Sequence, residues 1–170
     1  MLGMSIGSVH KILKDLEKRN IILSRELGNA LYYALNFDSN EALKLGEIIL
    51  IEEKSNFLKN NKVGKVYASD LEKGDADCIV LFGSILTKSK EARDIDVLFI
   101  VKNEEGVREV HKFCLEISKI RTKKINPLIM LEQDLISNMK KKNKAMLDLI
   151  KNGVILKGEE VFIKIIKNAY

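Results

Sequence analysis

No tryptophan occurs among the 170 residues, a single proline interrupts them, and only two cysteines and two histidines are present. Each scarcity removes a class of protein. Cys78 and Cys114 lack CxxC spacing and His10 and His111 stand alone, so neither a structural zinc site nor the disulfide framework of a small secreted domain is available. Both thiols are expected to be buried and free, and both histidines to sit on the surface of helices. No apolar run approaches the roughly 20 residues that cross a bilayer. A signal peptide's basic, apolar and cleavage regions are also missing, so a cytoplasmic location with no membrane association is expected. Internal repeats and low-complexity segments are absent too.

What the chain does have is 46% apolar residues, ample for a packed core, and 31% charged ones. The formal net charge of +5 suits polyanionic partners such as nucleotides or nucleic acid.

The chemistry concentrates between Ile79 and Val101, in IVLFGSILTKSKEARDIDVLFIV. One apolar strand ends at Gly83-Ser84, and after nine intervening residues a second apolar strand carries Asp94 and Asp96. Side chains alternate along a strand, so the two carboxylates share a face with their Cα atoms roughly 6–7 Å apart, near enough to hold hard cations together. Gly83 has no Cβ to obstruct a polyphosphate, and Ser84, at the turn into a short helix, offers a hydroxyl and backbone N–H groups. A purely structural role for the pair, capping the strand entrance or ion-paired to Lys88 or Arg93, is the competing expectation.

Gly-Ser, nine residues, then Asp-x-Asp and an apolar run resembles the signature of the DNA polymerase β-like nucleotidyltransferase superfamily, in particular its minimal nucleotidyltransferase branch. The tail KNGVILKGEEVFIKII resembles the end of that branch, so the likeness spans residues 62–167. The resemblance implies an α+β fold, a mixed sheet flanked by helices, and transfer of a nucleoside monophosphate from an NTP with Mg²⁺ or Mn²⁺. It assigns Asp94 and Asp96 as catalytic metal ligands and Gly83 and Ser84 as nucleotide-binding, with Lys88, Lys90 and Arg93 placed to meet the triphosphate. The family carries a third carboxylate on a later strand, here KINPLIML, where the matching position is Asn126. An amide brings no negative charge and cannot act as a base. Either the nucleophile is activated less well, or Glu132 at the strand's end takes that place.

At the N-terminus, Ile6, Val9, Ile12, Leu13 and Leu16 follow helical spacing behind Ser5, a natural N-cap. Two short strands then flank Gly28-Asn29. This order resembles the recognition helix and wing of a winged helix-turn-helix without its preceding helices. The resemblance makes Lys11, Lys14, Lys18, Arg19 and Arg25 candidates for duplex DNA contact. An isolated helix and hairpin would expose Ile12, Leu16, Ile22, Leu31 and Tyr33, so truncation, a misplaced start or coverage by a second copy is expected.

The expected organisation is therefore a partial winged helix-turn-helix over residues 1–37, a connecting helix over 38–61 capped by Asp38 or Ser39, and a nucleotidyltransferase domain over 62–170. The connecting helix either packs on the core or dimerises. Within the last domain, helices are expected over 63–72, 104–121 and 135–150, and strands over 78–82, 94–101 and 124–131, with a turn and short strand over 153–157. Pro127 places its strand at an edge or bulge, and the lysine run 140–144 reads as a solvated helix end. The resemblance further implies a protein acceptor such as a HEPN-domain partner, with a small hydroxyl compound as the other candidate. The alternative function is a DNA-binding regulator whose weakly catalytic domain senses nucleotide; a purely structural partner-binding role is the third.

Overall fold

Every residue from Val97 to Val101 is buried, a condition a strand meets only when both faces of its sheet are covered. The computed structural model describes residues 3–170, so Met1 and Leu2 of the expected N-terminal segment lie outside the described residues. It divides into two compact units, one ending at Ile48 and the other running Ile49–Tyr170.

In the first unit, helix α1 (Ile6–Lys18) begins where the Ser5 hydroxyl accepts the Ser8 N–H at 3.1 Å. Strands β1 (Ile22–Leu27) and β2 (Ala30–Leu35) pair antiparallel, with Gly28 at φ +61°, the left-handed value that a two-residue hairpin asks of its first central residue. Ile21 is fully buried, and Asn36 clamps the junction by donating to the Asn20 carbonyl at 3.0 Å. Ile12 and Leu31 are exposed as the sequence suggested, whereas Leu16, Ile22 and Tyr33 are half-buried. Leu23, Leu27 and Tyr32 are exposed instead, because the register places them on the other face of an apolar ribbon. Ser39, not Asp38, caps helix α2 (Asn40–Asn60), accepting from the Ala42 N–H at 3.3 Å.

The second unit is built on a four-stranded mixed sheet. Strands β3 (Cys78–Phe82), β4 (Asp94–Val101), β5 (Lys124–Leu131) and β6 (Val154–Lys157) lie in the order β5-β4-β3-β6. β4 is antiparallel to β3 and parallel to β5, and a parallel neighbour requires a crossover, supplied here by helix α4 (Glu104–Ile120). Pro127 lies on β5, the sheet edge, where a missing N–H is tolerated. Helix α3 (Lys62–Leu71) and α4 cover one face, packing Tyr67, Leu71, Val110 and Ile117 against Leu81, Val97 and Phe99.

On the other face, Val80, Leu98, Ile100 and Ile155 pack against α5 (Glu132–Lys140), α6 (Lys144–Asn152) and α7 (Glu159–Ala169) through Leu135, Met139, Met146, Phe162 and Ile165. α5 and α6 replace the single helix expected over 135–150. The chain breaks at Lys142, φ +54°, and Asn143 caps the new helix by accepting the Met146 N–H at 3.2 Å. Cys78 and Cys114 are buried and free, with burial pushing their pKa values up to about 12 and about 11. No helix among the described residues is long and apolar enough to cross a membrane.

The Asp70 carboxylate joins the end of α3 to the end of α4, accepting from Arg121 Nε at 2.7 Å, and this contact holds its pKa below the usual carboxylate value. A depressed folded pKa contributes stability above the unfolded value near 3.9 and loses it as pH falls through the folded one. Asp70→Asn should therefore cost about 1 kcal/mol at pH 7, a figure held down by solvent at Arg121, and progressively less toward pH 3. Urea unfolding of both proteins across pH 3–7 measures the convergence.

Candidate active site

Strand pairing brings three distant segments into one row: Phe82 of β3 lies opposite Asp96 of β4, and Asp96 opposite Asn126 of β5. Alternation along β4 puts Asp94 and Asp96 on the face shared with Leu98 and Ile100, at the end where no helix closes over them. Asp94 is exposed and Asp96 half-buried.

Directly after Phe82 the chain turns through Gly83, φ +77°, into a short 3₁₀ helix, Gly83–Leu86. That turn lies against the Asp96 carboxylate. A Cβ on Gly83 would overlap Asp96 Oδ2 and stand 3.0 Å from its Cγ, so both backbone conformation and space demand glycine. From the other side, Asn126 Nδ2 donates to Asp96 Oδ1 at 2.7 Å. One carboxylate is thus held between the glycine turn and an amide.

The supports come from elements remote in sequence. Asn61, at the start of α3, sends its amide to the Ile85 carbonyl at 2.8 Å and accepts the Gly64 N–H at 2.7 Å, fixing the 3₁₀ turn from below. Tyr67 brackets Lys123: its hydroxyl accepts the Lys123 N–H at 2.8 Å and donates to the Lys123 carbonyl at 3.1 Å. Lys123 Nζ in turn reaches the carbonyls of Lys90 and Ala92, just ahead of Asp94. Sequence reading missed all three residues, since an Asn, a Tyr and a Lys 24 to 56 positions from their partners carry no local signal.

Ser84, Lys88, Lys90 and Arg93 are exposed around this end of the sheet, with the Lys88 N–H closing on the Ser84 carbonyl at 2.8 Å. Among the described residues neither Lys88 nor Arg93 forms an ion pair with Asp94 or Asp96, so the competing picture of a structural salt bridge is not what the geometry presents. A basic residue that sequence reading overlooked, Lys124, stands opposite Asp94 on β5, a juxtaposition visible only once the parallel register is known.

Glu132 must be corrected. Leu131 pairs with Val101 at the far end of β4, so Glu132 lies six residues past Asn126, roughly 20 Å away along the strand, where it pairs with Lys164 at 3.3 Å. It cannot supply a third carboxylate to Asp94 and Asp96. Among the described residues no three carboxylate, imidazole or thiol side chains converge. The donor set that remains, two carboxylates and a neighbouring amide open to water, fits Mg²⁺ or Mn²⁺, which favour oxygen ligands and retain waters.

The DNA candidates belong to the first unit. Lys11, Lys14 and Lys18 are exposed on α1 and Arg25 on β1. Arg19 is committed to Glu41 and to Asp15 at 3.6 Å, which raise its pKa, so it offers a phosphate less than the lysines do.

A family model described as polymerase beta, nucleotidyltransferase matches residues 52–161, a span that contains the Gly83-Ser84 turn, Asp94, Asp96 and Asn126. No curated protein matches the chain.

Two substitutions test this geometry. Gly83→Ala should displace the Asp96 carboxylate and destabilise the fold by about 1–3 kcal/mol, read as a lowered melting temperature together with weakened Mn²⁺ binding. Asn126→Asp would set a second carboxylate against Asp96. The variant should melt lower than wild type without divalent cation and gain more from added Mn²⁺, a crossover that differential scanning calorimetry resolves.

Proposed function

The chain belongs to the polymerase beta nucleotidyltransferase family, and from that premise we propose that it transfers a nucleoside monophosphate from an NTP to a hydroxyl acceptor on a protein or small molecule. The observation that carries this reading is the single row in which the Gly83 turn, Asp96 and Asn126 meet, with Asp94 two residues away on the same face.

In this reading the triphosphate lies on the 3₁₀ turn, with the Ser84 hydroxyl and nearby N–H groups facing its oxygens and Lys88, Lys90 and Arg93 balancing its charge. Asp94 and Asp96 would hold Mg²⁺ or Mn²⁺, which would supply charge neutralisation for phosphoryl transfer. The acceptor oxygen forms its bond to the α-phosphorus as the bond to the bridging oxygen breaks, and pyrophosphate departs. Asn126 cannot take the acceptor's proton, which passes to water. Its amide instead fixes the orientation of Asp96. Candidate protein acceptors are a HEPN-domain partner or a second copy of this chain.

A second reading, a DNA-binding regulator that senses nucleotide, is favoured by two features: the amide at the third ligand position, and the exposed lysines of α1 beside a hairpin. The experiment that separates them incubates the protein with each labelled NTP and Mg²⁺ or Mn²⁺, following label on protein and released pyrophosphate. Metal-dependent transfer is expected, falling at least roughly 100-fold in Asp94→Asn/Asp96→Asn. Nucleotide binding without pyrophosphate release, alongside salt-sensitive duplex binding lost in Lys11→Ala/Lys14→Ala/Lys18→Ala, would select the regulator.

A further inference from the structure

The sheet face that carries Asp96 and Asn126 continues beyond them. Two residues further along β5, roughly 7 Å at a strand's rise, that face presents Leu128 and then Met130. With Phe82 they floor a cleft of about 720 Å³, walled by α5 and α6, whose rim includes Gly83 and Thr87. It opens from the turn assigned to the triphosphate.

Charge decides what the cleft can hold. No lysine or arginine lines it, and its one charged lining residue is Asp148 on α6, so a polyphosphate is repelled from its interior. Three asparagines also border it, each already hydrogen-bonded within the walls, with Asn143 donating to Asn138 Oδ1 at 3.5 Å. Asn138 donates to the Asp134 carbonyl at 2.8 Å, Asn143 caps Met146, and Asn152 donates to the Asp148 carbonyl at 2.8 Å. Among the described residues the Asp148 carboxylate has neither a hydrogen bond nor an ion pair, which leaves it as the one charge available to a ligand above an apolar floor. Thioether and aromatic carbon on the floor and walls suit a flat ring, and the two-residue step from Asp96 is a span that a ribose bridges.

We infer that this cleft receives the nucleobase of the donor nucleotide and that Asp148 selects bases bearing an exocyclic amine. The inference rests on the nucleotidyltransferase reading above. Adenine, cytosine and guanine each offer amine hydrogens to a carboxylate, whereas uracil flanks its lone N–H with two carbonyl oxygens that Asp148 repels. Asp148 is thus a specificity residue, remote from the reacting atoms.

The test is equilibrium binding of ATP, CTP, GTP, UTP and inorganic tripolyphosphate, with Mg²⁺, to the full chain and to Asp148→Asn and Ala145→Trp. Both substituted residues are exposed on α6, and thermal denaturation checks that the variants are folded. Wild type should bind the three amine-bearing nucleotides roughly tenfold more tightly than UTP, about 1.4 kcal/mol, and Asp148→Asn should largely erase that difference. Ala145→Trp should weaken all four nucleotides by filling the cleft, yet leave tripolyphosphate unchanged. Equal affinities for the four nucleotides in wild type would overturn the selection by Asp148. Nucleotide affinities unmoved by Ala145→Trp would overturn the base site and leave the cleft to the acceptor, with the proposed function intact. Failure of wild type to bind either nucleotide or tripolyphosphate would remove that function and this inference together.

Discussion

The close approach of the Gly83 backbone to the Asp96 carboxylate governs how this end of the sheet is built. It joins adjacent strands, takes a left-handed φ, and leaves room for a side chain at position 83 only if the Asp96 carboxylate moves. Everything nearby follows from holding that approach: Asn61 anchors the turn from α3, and Asn126 steadies the carboxylate from β5. The tight packing is electrostatic as much as steric. A glycine turn and a half-buried carboxylate share one edge of the sheet, and each limits the conformations open to the other.

The strand positions and the carboxylate pair were legible because their signals are local, whereas the order of the strands in the sheet is set by tertiary pairing. Continuous apolar runs mark Cys78–Phe82 and Asp94–Val101, and the period of two sets Asp94 and Asp96 on one face. The capping of α1 by Ser5 and the hairpin at Gly28 are equally local. Where the reading failed, the deciding interaction was tertiary or conformational. The break at Lys142 depends on one residue adopting a left-handed φ inside a lysine run with strong helical propensity. Glu132 looked eligible as a ligand because sequence proximity to Asn126 conceals that a strand moves its residues apart by more than 3 Å each.

Asn126 changes the character of the site. A carboxylate there would repel Asp96 and need a cation to relieve it; the amide donates instead, so Asp96 is oriented by the protein itself. Preorganisation of this kind trades charge for rigidity. It removes one negative charge from the row and leaves the Asp96 carboxylate held in place.

The parallel pairing of β4 with β5 also has a temporal consequence. The row Phe82–Asp96–Asn126 spans 45 positions and is separated by the whole of α4, so it closes only after a long loop has been ordered. During synthesis, β3 and β4 can pair as a local hairpin well before β5 leaves the ribosome. For that interval Asp94 and Asp96 exist as an exposed acidic pair without the amide that orients Asp96. The row is therefore complete only once β5 has joined the sheet, and a chain that stalls before residue 126 carries the two aspartates without the amide beside them.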